Sequence, residues 1–165
     1  MEIAPILLIA ATCALAADRF PPIEAQSLDD RKIAFPTAAA GRPAVVVIGF
    51  THASQNQTKP WGERLSRDAA PLLVYSLAVM EDVPRLVRGV AVHGIKSGVP
   101  KEQRERFLLV YHDEKTLKQI AGFSQPDDAY ILLLDGSGAV AWKYHGPVSD
   151  GAITQLRDWV ASLDQ

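Results

Sequence analysis

Eight residues constrain this chain more than any others: Pro43 to Phe50 reads PAVVVIGF, an apolar run rich in β-branched side chains. A run of that length with no polar residue on either alternating face is the pattern of a strand buried on both sides. It calls for a central sheet with layers above and below it. The rest of the chain supplies candidates for both. Pro22 to Pro36 (PIEAQSLDDRKIAFP) reads as two short strands around the turn signal Asp29-Asp30. Ser54 to Asp68 has helix-compatible spacing, although Pro60 and Gly62 predict a kink or a late start. Pro71 to Leu77 is a second apolar run of strand length. Asp82 offers an N-cap, with Pro84 near the first helical position, for a helix reaching about Val92.

A short helical piece at Pro100 to Arg106 then precedes a strand over Phe107 to Tyr111. Glu114 to Ala121 reads as a helix stopped by Gly122. Tyr130 to Leu134 and Ala139 to Tyr144 are strands joined by Asp135-Gly136-Ser137-Gly138, a strong hairpin signal. Ser149 caps a last helix whose Ile153, Leu156, Trp159, Val160 and Leu163 form one apolar stripe. Strands alternating with helices, closed by a hairpin and a helix, predict an α/β three-layer sandwich: a central mixed sheet with an N-terminal β-hairpin and helices on both faces.

The first residues differ in kind. Ile3 to Ala17 is an uncharged apolar run of 15 residues, shorter than the roughly 20 that a membrane span needs. It matches the apolar segment of a secretory signal, with Ala14-Leu15-Ala16 as a small-x-small cleavage site, although Glu2 stands where a basic residue is usual. We therefore expect residues 1–17 to be a signal peptide and residues 18–165 to form one domain, exported to a periplasm or secreted. Cleavage removes Cys13, the chain's one cysteine. Lipid anchoring through Cys13 is the competing expectation, weakened by Thr12 where a small residue would precede a lipidated cysteine. No membrane span is expected in the mature chain. A net charge of −2 offers no long-range attraction for nucleic acid.

Two segments carry a resemblance. Ala44 to Trp61 (AVVVIGFTHASQNQTKPW) resembles the strand and helix that present the reactive cysteine in thioredoxin-like oxidoreductases and peroxiredoxins. Ala129 to Gly146 (AYILLLDGSGAVAWKYHG) resembles the closing hairpin of that fold. The resemblance to the thioredoxin-like superfamily implies its fold over most of the mature chain. It also places Ser54 and Gln57 where the two redox cysteines would stand, and Ala129 where the family has a cis-proline beside bound substrate. A serine hydroxyl forms no disulfide, so neither thiol-disulfide exchange nor cysteine peroxidase chemistry is expected. A cis bond before a non-proline residue costs about 2.5–4 kcal/mol, so Asp128-Ala129 should be trans. Within the superfamily, Gln57, Trp61, Leu133-Leu134-Asp135, Gly138, Val140-x-Trp142 and Gly146 are most similar to the assembly chaperones of the ATP-synthase F-zero sector. That likeness implies a chaperone-like role with a protein partner, such as a membrane-complex subunit, and supplies no catalytic residue.

The expected contact surface is the rim formed by Thr51, His52, Ser54, Gln55, Asn56 and Gln57, together with Ala129 and Trp142. The rival reading is an enzyme using non-thiol chemistry at the same rim through His52 and Ser54. A helix N-cap is the simpler role for Ser54. Trp61 is expected in the core, whereas Trp142 suits either core or contact. His52, His93, His112 and His145 lack the tight spacing of metal ligands. Lys96, Lys101, Arg104 and Arg106 are interleaved with Glu102 and Glu105, a solvated face. Neither a phosphate-binding loop nor a dinucleotide fingerprint is present, and no cofactor is expected.

Overall fold

The computed structural model describes residues 17–68 and 72–164. The proposed signal segment, apart from Ala17, lies outside the described residues with Cys13, as does Pro71. The elements follow the expected order: β1 (Ile23–Ser27), β2 (Lys32–Phe35), β3 (Ala44–Gly49), α1 (Gln55–Asp68), β4 (Leu73–Val79), α2 (Arg85–Gly98), β5 (Phe107–Val110), α3 (Glu114–Ala121), β6 (Tyr130–Leu134), β7 (Val140–His145) and α4 (Asp150–Leu163). Short 3-10 turns occupy Thr37–Ala39 and Lys101–Arg106.

Among the described residues, seven strands join one sheet in the order β2-β1-β5-β4-β3-β6-β7. The β3, β4 and β5 strands run parallel. The remaining pairings are antiparallel, so the sheet is mixed. The apolar run in β3 is covered on both sides, as its composition demands. Ala44, Val46 and Ile48 face a core completed by Leu117 and Ala121 of α3. Val45 and Val47 face Trp61 and Leu65 of α1 and Ile153 and Leu156 of α4. The α2 helix packs Ala91, Val92 and Ile95 on a smaller cluster of Leu28, Met80 and Leu109. No helix among the described residues is long and apolar enough to cross a membrane.

Turn chemistry holds the hairpins in register. Asp30 takes a left-handed conformation (φ 67°) between β1 and β2. In the second hairpin the Asp135 carboxylate accepts the Ser137 and Ala139 N–H groups at 2.8 and 3.0 Å. Ser149 caps α4 as expected, its hydroxyl oxygen accepting the Ala152 N–H at 3.1 Å.

The expectations for three helices need correction here. The α1 helix starts at Gln55, five residues before Pro60, and continues unbroken to Asp68. There is no late start, because burial of Trp61 and Leu65 holds the segment beyond the proline. The second helix is not capped by Asp82 and does not end near Val92. Pro84, extended at φ −55° and ψ 136°, immediately precedes it without a side-chain cap. It runs on to Gly98 because Ile95 and Val99 continue the inward apolar stripe. In α4, Trp159 leaves the stripe and is 46% exposed. Residues 153, 156, 160 and 163 share a face, and at about 100° per residue Trp159 projects well to one side of it.

Candidate functional site at the rim of the central strand

The C-terminal end of β3 is where topology gathers the polar residues. Antiparallel pairing of β3 with β6 sets Ile48 opposite Tyr130, so the segment 127–129 arrives beside the residues that open α1. Thr51 joins these segments. Its hydroxyl donates to Asp127 Oδ1 at 2.7 Å and accepts the Ser54 N–H at 3.1 Å.

Ser54 is buried and does not cap α1 with its side chain. Its carbonyl accepts the Thr58 N–H at 2.8 Å, while its hydroxyl donates to the Thr51 carbonyl at 2.6 Å. Gly49 makes this packing possible, since a Cβ there would stand 2.6 Å from Ser54 Oγ.

Gln57 clamps the opposite segment. Its Nε2 donates to Asp128 Oδ1 at 3.1 Å, and its Oε1 accepts the Ala129 N–H at 3.0 Å. Asp128 Oδ2 lies 2.8 Å from His145 Nδ1, and the imidazole stacks on Tyr130 with centroids 5.7 Å apart. The hydrogen bond from His145, reinforced by Gln57, holds the Asp128 carboxyl below the ordinary carboxylate value against an opposing effect of burial. Further in, the Ala129 carbonyl accepts the Gly146 N–H at 2.9 Å. Trp61 Nε1 donates to the Gly146 carbonyl, also at 2.9 Å. Among the described residues the only cis peptide bond is Phe35-Pro36, so Asp128-Ala129 is trans.

The structure thus divides the expected site residues. Thr51, His52, Gln55, Asn56 and Gln57 reach the surface at least in part, whereas Ser54, Ala129 and Trp142 are buried. Trp142 stacks on Tyr144 within the core, 5.8 Å between centroids, and Trp61 is fully enclosed. Sequence reading missed Asp127 and Asp128. Only fold topology brings them to the rim, 76 and 71 positions from Thr51 and Gln57.

The geometry limits the chemistry. His52 is exposed, and its Nδ1 lies 3.4 Å from Gln55 Nε2. The Ser54 hydroxyl points to a backbone carbonyl, so the two do not form a nucleophile and base. His145 has an orienting carboxylate, but its ring is hydrogen-bonded to no hydroxyl among the described residues. No group of three or more His, Cys, Asp or Glu side chains suited to a metal occurs among the described residues. Residues 17–165 contain no cysteine, and one cysteine in the whole chain cannot form an intramolecular disulfide.

No protein-family model matches the chain, and no curated protein matches it in sequence. Solved structures do. It is similar to the thioredoxin domain of a thiol-disulfide oxidoreductase from Bacteroides vulgatus, with a TM-score of 0.61 at 16% identity, covering 89% of this chain and 99% of that one. The exposed lipoprotein thioredoxin Etrx1 of Streptococcus pneumoniae gives 0.60 at 11%, covering 82% and 97%. BsSco, a member of the Sco family of cytochrome c oxidase assembly proteins, gives 0.58 at 11%, covering 87% and 94%. The chain has a thioredoxin-like fold. Identities this low carry the fold and not the activity.

Proposed function

We propose that this chain is an exported thioredoxin-fold binding or assembly module that does its work without thiol chemistry. The observation that carries the reading is the closed polar network at the rim. Gln57, Asp128 and the Ala129 N–H satisfy one another, in a segment that the family resemblance assigns to redox cysteines and substrate binding. What remains for a partner is the exposed ridge of His52, Gln55 and Asn56 beside Asp127. Residues held in place by internal bonds form a preorganised recognition surface, which lowers the ordering cost of association. The likeness to F-zero sector assembly chaperones supports a membrane-complex subunit as partner. BsSco, with its place in a family of assembly proteins, adds a second parallel. Export rests on the apolar segment Ile3–Ala17, and cleavage there would release a chain free of Cys13.

The test is affinity capture from native membranes and periplasm. Wild type is compared with a triple variant, His52→Ala, Gln55→Ala and Asn56→Ala, which alters only exposed side chains. Enrichment of one membrane-complex subunit by wild type, lost in the triple variant, is the expected result. Equal enrichment by both, or none by either, would overturn the assignment of the rim.

A further inference from the structure

A cavity of about 420 Å³ lies at the opposite end of β3 from the rim, between the C-terminal part of α1, Pro43 and α4. Leu65, Leu72, Ile153, Leu156 and Val160 line it, and all five belong to or pack against the core on that face of the sheet. Its volume falls within the range of small-molecule sites. The lining is chemically selective. Among the described residues it holds no aromatic ring and no hydroxyl or amide side chain. No side chain there can stack on a planar ligand or sort the hydroxyls of a sugar. What it offers is aliphatic surface and four charged groups: Arg42, Asp68, Arg157 and Asp164.

These charges are not equivalent. Asp68 is already engaged, accepting a hydrogen bond from Arg64, which also donates to Asp150 at 2.9 Å. The Arg64 bond holds the Asp68 carboxyl below its ordinary value against an opposing effect of burial, and the charges of Arg157 and Arg67 add to it. Arg157 stands 3.7 Å from the same carboxylate, beyond hydrogen-bond reach. It forms no hydrogen bond among the described residues. Asp68 therefore draws the Arg157 guanidinium to the cavity and leaves its fork of donors unspent. Asp164, just past the end of α4, is exposed and would repel an anionic group at its own position.

We propose that this cavity binds a single aliphatic chain bearing a carboxylate, a medium-chain fatty acid. Its tail lies against Leu65, Ile153 and Val160, and its head is held by Arg157. A guanidinium matches a carboxylate with two parallel N–H···O bonds, the geometry that Arg157 has free to give. The aliphatic lining accounts for the tail, and the guanidinium with unspent donors accounts for the sign of the head. The cavity shares no residue with the rim, so either assignment can fail alone.

Isothermal titration calorimetry of the full chain with dodecanoate, kept below its micelle concentration, tests the proposal. The expected result is saturable binding of one dodecanoate per chain. Arg157→Gln should raise the dissociation constant at least about tenfold, and dodecan-1-ol should bind wild type at least about tenfold more weakly than dodecanoate. Ala161→Trp, at an exposed position of the lining, should fill the cavity and abolish binding. An unchanged denaturation midpoint shows that this variant still folds. The triple variant His52→Ala, Gln55→Ala and Asn56→Ala should bind dodecanoate as wild type does. Absence of saturable binding overturns the proposal, as does binding indifferent to Arg157→Gln, to Ala161→Trp or to loss of the carboxylate. So does binding lost in the triple variant, or a chain that binds anionic phospholipid vesicles and not monomeric dodecanoate.

Discussion

The α1 and α2 helices are both 14 residues long and each follows a strand of the central sheet, yet they solve opposite problems. The α1 helix drives Trp61 and Leu65 into the core, and its outward positions are polar. The α2 helix buries no side chain completely and leaves Leu86 and Val90 in solvent. The difference teaches that apolar residues at helical spacing locate a helix without saying which of its faces the protein covers.

The largest effect should come from the buried side of this comparison. Trp61→Ala removes a fully enclosed ring and leaves the Gly146 carbonyl without its donor. It should cost about 3–5 kcal/mol, measured by equilibrium denaturation. A loss under about 1 kcal/mol would mean that α1 is not anchored as described. Next comes Gln57→Ala, which strips the buried Ala129 N–H of its acceptor and Asp128 of a donor. A cost of about 1–3 kcal/mol is expected. Gln57→Glu keeps the acceptor for Ala129 but sets a carboxylate against Asp128, so at neutral pH it should not restore stability.

The third prediction concerns acid. The Asp128 carboxyl titrates below its ordinary value when folded, chiefly through the bond from His145. Its contribution is therefore complete above the usual carboxylate value of about 4 and is lost as pH falls through the lowered folded value. Between about pH 4 and that lowered value, wild-type stability should fall more steeply than that of Asp128→Asn. Parallel curves would show that the rim pair does not couple to folding. The smallest effect belongs to α2: Leu86→Ala should change monomer stability by no more than about 0.5 kcal/mol. A larger loss would indicate that the side chain packs within its own chain.

Much of the fold was legible because its signals are local. The β-branched run Ala44–Gly49, the Asp135 turn and the Ser149 cap each depend on residues within a few positions. Local signals misled where tertiary packing prevailed. Pro60 did not delay α1, Asp82 was passed over for Pro84, and Trp159 sits beside its stripe. The rim was legible only in part. Thr51 to Gln57 follow directly from the central strand, but what holds them is Asp127, Asp128 and His145, distant in sequence. The burial of Ser54 has a faint local signal in Gly49, the one residue that leaves room for its hydroxyl.

The central claim is that the rim is a protein-binding surface, and site-specific photocrosslinking tests it most directly. A benzoylphenylalanine is placed at Gln55, on the exposed rim, and separately at Glu63, exposed further along α1. The account predicts one dominant adduct with a protein partner from position 55 and none from position 63. Equal labelling from both positions, or none from position 55, would contradict it.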